Sequence, residues 1–252
     1  MEAPRINAIA APAPSVFACG RFLGVLTLDT RFPRLLGDIG NPASFGVPTL
    51  TRVVRGARPE DAVQTAEGQR RTNLFDTFCS AMRELEREGA AAITTSCGFL
   101  VLLQDRLQQA ARVPVVTSSL MLLPALLERQ RQVGVLTISA RFLDHEFLEA
   151  AGVPPSRMGD VVIEGVDAAG AFASAIMGNQ PSMDFRGARQ DVVEAARRLH
   201  ARAPQLTDVV LECTNMPPYA CEIEQATGMR TWSLLQSERL RSGFGTRPSG
   251  YD

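Results

Sequence analysis

Short apolar or β-branched runs alternate along the chain with longer stretches whose apolar residues recur every three or four positions. This is the pattern of parallel strands joined by crossover helices. Strands are predicted at 23–28, 49–54, 90–95, 113–117, 133–138, 160–164 and 207–212. Between them, Phe75, Phe78, Met82 and Leu85 share one face of a helix that Gly89 stops, and Val192, Val193, Ala196 and Leu199 share the face of another. Arginine and glutamate fill the opposite faces, so the predicted fold class is α/β.

An internal echo organises these elements. GVLTLDT begins at Gly24 and GVLTISA at Gly134, and each opens a half-chain that later reaches an apolar strand ending in cysteine, AAAITTSCGF at Cys97 and TDVVLECTNM at Cys213. So apolar a tetrapeptide recurs by chance; its recurrence at a matching distance from a strand-end cysteine is the informative part. The expected architecture is two pseudo-symmetric domains, each a mostly parallel sheet flanked by helices, with the active site in the interdomain cleft. Residues 1–20 form an N-terminal extension, residues 21–117 a first α/β domain that 217–252 returns to complete, and residues 118–216 a second. No long linker marks the junction near residue 118, so close packing of the domains is expected.

With 252 residues, 45% hydrophobic and 21% charged, the composition is that of an ordinary globular protein. Its 26 basic and 27 acidic residues leave a formal net charge of −1, which argues against nucleic acid or an anionic membrane surface as partner. Every basic residue is an arginine. Without lysine the chain can form no Schiff base with pyridoxal phosphate or a substrate carbonyl, and it offers no P-loop lysine. Five cysteines without a C-x-x-C pair suggest neither a disulfide framework nor a zinc site. The scattered His145 and His200 add no ligand spacing, so no metal is expected. Arg5 and the apolar run after it imitate a short signal peptide, but Pro12 and Pro14 interrupt that run. No apolar stretch approaches the roughly 20 residues of a membrane span, and a cytoplasmic location is expected.

The chemistry centres on Cys97 and Cys213. Each stands between a predicted strand and a predicted helix start, where backbone N–H groups are expected to favour a thiolate. Gly98 allows close backbone approach to a ligand. Two opposed thiols, one ionised and one protonated, can remove a proton from one face of a carbon and deliver another to the opposite face. Charge developing on an adjacent carboxylate then needs fixed donors, and Ser96, Thr137, Ser139, Thr214 and Asn215 fall at predicted strand ends. Asp29 is expected to play a polar role near Cys97, and Arg31 to hold a second substrate carboxylate through paired hydrogen bonds. The loop GDIGNP lacks a dinucleotide-binding context; it reads as a turn or lid over the cleft, with Asn41 a candidate ligand. Cys79, Cys221 and Cys19 are assigned to packing or surface.

SCGF, ECTN, the strand closing in Asp29-Thr30 and the second GVLT-x-S together resemble the cofactor-independent aspartate/glutamate/hydantoin racemase superfamily, over nearly the whole chain after about residue 20. The resemblance implies an active site between two pseudo-symmetric domains, a homodimer, and no cofactor, neither pyridoxal phosphate nor metal. It implies acid/base roles for Cys97 and Cys213 and substrate-binding roles for Asp29, Thr30, Thr137 and Thr214. Two departures stand out. Cys97-Gly98-Phe99 and Cys213-Thr214-Asn215 replace the Cys-Asn-Thr and Cys-Thr-His of glutamate racemases, so no histidine assists Cys213. The expected function is racemisation or epimerisation of a small carboxylate-bearing amino acid, aspartate- or glutamate-like, or of a derivative such as a hydantoin. The alternatives are a maleate-type cis–trans isomerase, an arylmalonate-type decarboxylase, and a non-catalytic carboxylate-binding protein.

Overall fold

The computed structural model describes residues 21–243, so the N-terminal extension, Cys19 and the end of the chain lie outside the described residues. The first half contains β1 (Phe22–Leu28), β2 (Thr49–Val54), α1 (Pro59–Ala62), α2 (Ala66–Arg71), α3 (Leu74–Arg87), β3 (Ala90–Thr95), α4 (Gln104–Ala110) and β4 (Val115–Val116). The second contains α5 (Leu123–Arg129), β5 (Val133–Thr137), α6 (His145–Ala150), β6 (Val161–Gly165), α7 (Ala171–Met177), α8 (Phe185–Arg202), β7 (Asp208–Leu211), α9 (Ala220–Thr227) and β8 (Arg230–Trp232), and α10 (Glu238–Ser242) follows.

Each half forms a four-stranded parallel sheet, in the orders β2-β1-β3-β4 and β6-β5-β7-β8. The orders are equivalent when β1 is matched to β5 and β3 to β7, which accounts for the repeated tetrapeptide. GVLT lies on a central strand in both halves, and its glycine admits the long helix. A Cβ at Gly24 would lie 2.9 Å from Leu85 Cδ1 of α3, and one at Gly134 would lie 2.9 Å from Leu199 Cδ2 of α8. Both leucines are fully buried, each burial contributing roughly 1.5–3 kcal/mol. The central strands are buried on both faces because helices cover both, as in β1, β3, β5 and β7, where every residue is buried.

One apolar cluster runs from Phe22 to Met229 through both halves, and Phe99 meets Phe147 edge-on across them at 5.1 Å between ring centroids. Among the described residues no helix is long and apolar enough to cross a membrane.

The last part of the chain departs from expectation. Residues 217–232 do not return to the first half, because β8 pairs with β7 in the second sheet. A parallel strand reached through one crossover helix settles beside the strand it left, and a buried carboxylate secures it. Trp232 Nε1 donates to Asp208 Oδ1 at 2.7 Å while Thr207 Oγ1 donates to Oδ2 at 2.7 Å. Only beyond Ser233 does the chain cross back, where Leu234 and Leu240 join Leu23, Val25, Ala92 and Val116. Trp232→Phe keeps an aromatic side chain and removes the donor, leaving a buried carboxylate oxygen unpaired. It is expected to lower unfolding free energy by about 1.5–3 kcal/mol, read as a lower urea midpoint at unchanged slope.

Candidate active site

Both cysteines stand just past equivalent strand ends, and the two ends are joined. Thr214 Oγ1 donates to the Ser96 carbonyl at 2.6 Å, linking the residue before Cys97 to the residue after Cys213 across the halves. Cys97 caps a 3-10 stretch, Gly98–Leu103, with the Leu100 N–H bonded back to its carbonyl at 3.2 Å. The two thiols line one cavity, with Leu28, Phe32, Val63, Phe99, Ile138 and Ile176 supplying apolar walls and Ser96, Glu212 and Asn215 polar ones. Its free room is about 20 Å³, about one water molecule.

Three charged side chains that sequence reasoning did not single out organise this centre. Glu212, fully buried, receives a 2.7 Å hydrogen bond from Thr137 Oγ1 at Oε2, while Oε1 has no hydrogen-bond partner among the described residues. A Cβ on Gly98 would collide with this Oε1 and with the Glu212 carbonyl oxygen, so only glycine fits beside Cys97. Asp38, also buried, accepts from Arg34 Nη1 at 2.8 Å, from the Gly40 N–H at 2.7 Å and from Asn215 Nδ2 at 2.6 Å. Arg34 Nη2 donates to Thr30 Oγ1 at 3.0 Å and reaches Ser96 Oγ at 3.4 Å. The warning for Glu212 was legible, since a charge inside the apolar run VVLEC has to be buried with the strand. Arg34 and Asp38 lie in a loop without periodicity, where nothing in the sequence says which charges turn inward.

Burial reverses the expected activation of the thiols. Cys97 is pushed up to about 12, first by loss of solvent and then by the nearby Glu212 carboxyl, against the opposing pull of the Phe99 and Leu100 amides and of Arg34. Cys213 is raised well above the ordinary thiol range for the same two leading reasons, and its S–H donates to Asn215 Oδ1 at 3.7 Å. A few amides of a 3-10 turn do not offset complete desolvation. Glu212 is raised to about 8 by burial, with the Thr137 hydrogen bond opposing. In this closed form both thiols and much of Glu212 carry their protons at neutral pH.

Of the sequence-based candidates, Cys97, Cys213, Ser96, Gly98, Thr214 and Asn215 come together at the cavity. Thr137 joins through Glu212 and Thr30 through Arg34. Asp29, Arg31, Asn41 and Ser139 do not line it. The exposed Asp29 carboxylate accepts from the Gly56 N–H at 3.0 Å, since a strand-end aspartate can turn outward onto the next loop's amide as readily as inward. Arg31 is exposed and its backbone N–H bonds Asn179 Oδ1 at 2.6 Å, so the inward guanidinium of this loop is Arg34. Asn41 is used by the loop itself, accepting from the Ala43 N–H at 3.0 Å and donating to the Arg34 carbonyl at 3.1 Å. Ser139 is half-buried in the turn after β5, where its carbonyl accepts from Phe142 and Leu143. The loop does close over the cleft, as the Ile39 N–H donates to the Thr214 carbonyl at 3.1 Å.

Residues 46–234 match the Asp/Glu/hydantoin racemase family, and the chain belongs to it. Among named relatives, a dimethylsulfoniopropionate lyase of Durusdinium sp. clade D is 28% identical over 234 residues, covering 90% of this chain and 76% of that protein. Dimethylsulfoniopropionate lyase 7 of Emiliania huxleyi is 28% identical over 225 residues, and there the match spans 85% of this chain but 64% of the longer relative. Among solved structures, allantoin racemase from Klebsiella pneumoniae superposes with a TM-score of 0.64 at 13% identity, covering 90% of this chain and 87% of that one. Arylmalonate decarboxylase superposes at 0.55 with 15% identity, covering 91% and 94%. At such identities the structural likeness is one of fold.

Two measurements check the electrostatics. With iodoacetamide at mildly alkaline pH, peptide mass spectrometry is expected to find the exposed Cys221 alkylated at least about tenfold faster than Cys97 or Cys213. A raised acid binds a proton in the folded state that the unfolded chain has already lost. Glu212 therefore withdraws stability as pH rises from the ordinary carboxylate range to about 8. Glu212→Gln removes that loss, so its melting temperature is expected to gain on wild type across that window, whereas parallel curves would contradict the assignment.

Proposed function

We propose that this protein is a cofactor-independent lyase that removes the proton next to a carboxylate and expels a β-sulfonium group, acting on dimethylsulfoniopropionate or a close analogue. The observation that carries this reading is a small, mostly apolar cavity lined by two thiols and by Glu212, whose carboxyl has an unpartnered oxygen. Similarity to the two lyases supports the substrate class. The walls support it as well, since Phe32, Val63, Ile138 and Ile176 suit methyl groups. The two carboxylates of the loop after β1 are engaged by other groups, Asp29 with Gly56 and Asp38 with Arg34, Gly40 and Asn215.

Cys97 acts as the base. It has two amides and the Arg34 charge favouring its ionised form, whereas Cys213 has one amide and its proton is directed to Asn215. The thiolate takes the α-proton; the Cα–H electron pair becomes the Cα=Cβ double bond; the Cβ–S pair leaves with neutral dimethyl sulfide, and acrylate remains. Charge balances, a zwitterion and a thiolate giving an anion, a neutral sulfide and a thiol, which then returns its proton to solvent. The substrate carboxylate is held by Ser96, whose hydroxyl accepts from Leu28 and Arg34 and keeps its own hydrogen for a ligand, and by the positive charge of Arg34 behind it. Free room for about one water means that the walls part on substrate entry.

Headspace gas chromatography for dimethyl sulfide, with proton NMR for acrylate, tests the reading. Wild type is expected to release both, and Cys97→Ser to lower kcat/KM by at least about 100-fold; a wild-type protein releasing neither would overturn it. Racemisation is the second reading, favoured by the placement of two thiols at equivalent strand ends. It predicts deuterium at the α-carbon of amino acids or hydantoins incubated with the enzyme in deuterium oxide.

A further inference from the structure

Glu212 is the least expected group in the cavity, and the elimination step does not use it. Carboxyls are seldom fully buried without a partner. Here one oxygen is bonded to Thr137 while the other, against the α-carbon of Gly98, has no hydrogen-bond partner among the described residues. The guanidinium closest in role, Arg34, is paired with Asp38. The carboxyl also opposes ionisation of both neighbouring thiols, an unhelpful position beside a base. One kind of ligand removes both difficulties. A cation at Oε1 supplies the missing counter-charge and offsets the part of the Cys97 shift that comes from Glu212.

We infer that Glu212 is the specificity residue for the cationic end of the substrate, its unpartnered Oε1 forming the anionic pole of the site and Arg34, behind Ser96, the cationic pole. This rests on the elimination reading for the identity of the cation, a dialkylsulfonium. A zwitterion lies between the two poles, carboxylate toward Ser96 and Arg34 and onium toward Glu212, with its α-carbon near the thiols. When the Cβ–S bond breaks the positive charge disappears, and Glu212 is left beside an anionic product with nothing to attract it. The same residue thus selects the substrate by charge and disfavours the product.

The test uses two unreactive carboxylates of equal shape: one with a cationic end (the cationic probe), trimethylammoniopropionate, whose amine is a poor leaving group, and one with a neutral end (the neutral probe), with carbon in place of nitrogen. Isothermal titration calorimetry of the wild-type protein is expected to favour the cationic probe by about tenfold or more, the range of close charge pairs in a dry site. In Glu212→Gln the preference is expected to fall to near one through weaker binding of the cationic probe. Retained binding of the neutral probe shows that the cavity is still folded, and Glu212→Asp, which restores the charge, is expected to recover part of the preference. No preference in the wild type, no binding of the cationic probe, or a preference that survives in Glu212→Gln would each overturn the inference. The elimination reading fails separately. A protein that prefers the cation but releases no dimethyl sulfide sinks that reading and leaves the role of Glu212 standing, whereas one that turns over substrate with an unchanged charge preference in Glu212→Gln sinks only this inference.

Discussion

The hydrogen bond from the Thr214 hydroxyl to the Ser96 carbonyl holds the carboxyl ends of β3 and β7 together, and with them the two cysteines. Bringing two strand ends of separate sheets into contact leaves almost no water between them, and the loss of solvent is the leading cause of the raised values of Cys97, Cys213 and Glu212 alike. A site built this way is chemically quiet until a charged ligand enters. On the proposed elimination reading, its thiols become bases only when a ligand compensates for the missing water; without one, the protonated thiols are poor nucleophiles.

Backbone packing and site chemistry are joined at a single glycine. Gly98 lets the Glu212 carbonyl and carboxyl approach the strand end that bears Cys97, so the acid reaches the cavity because the residue after the first thiol lacks a side chain. Gly24 and Gly134 do analogous work in the core, each admitting a leucine of the long helix onto a central strand. Glycine in Cys97-Gly98-Phe99 therefore has a concrete structural consequence, room for the Glu212 carboxyl beside the first thiol.

The loop after β1 divides its residues between cover and support. Arg34 and Asp38 turn inward and bind each other, Asn215 and Ser96. Asp29 and Arg31 hold the loop to the second half through Asn179, whose side-chain amide bonds both their main chains while its backbone sits in the left-handed region at φ 47°. Such strain persists where surrounding contacts determine it; here those contacts cross between the halves.

Much of the fold was legible because parallel strands buried on both faces have to be continuous apolar runs, and helices between them have to carry a periodic stripe. The repeat placed the two cysteines at equivalent strand ends for the same reason. Sequence by itself also excluded lysine-dependent chemistry, since composition needs no geometry. Tertiary structure alone decided which sheet receives β8, because an edge strand's neighbour depends on the crossover and on the Asp208–Trp232 contact rather than on its own residues. It alone showed that Arg34 rather than Arg31 reaches Ser96 beside the first thiol, that Asp29 turns away, and that Glu212 lines the cavity with one carboxyl oxygen unpartnered. In each case the side chain's direction is set by partners far along the chain, and the sign of a pKa shift by how completely those partners exclude water.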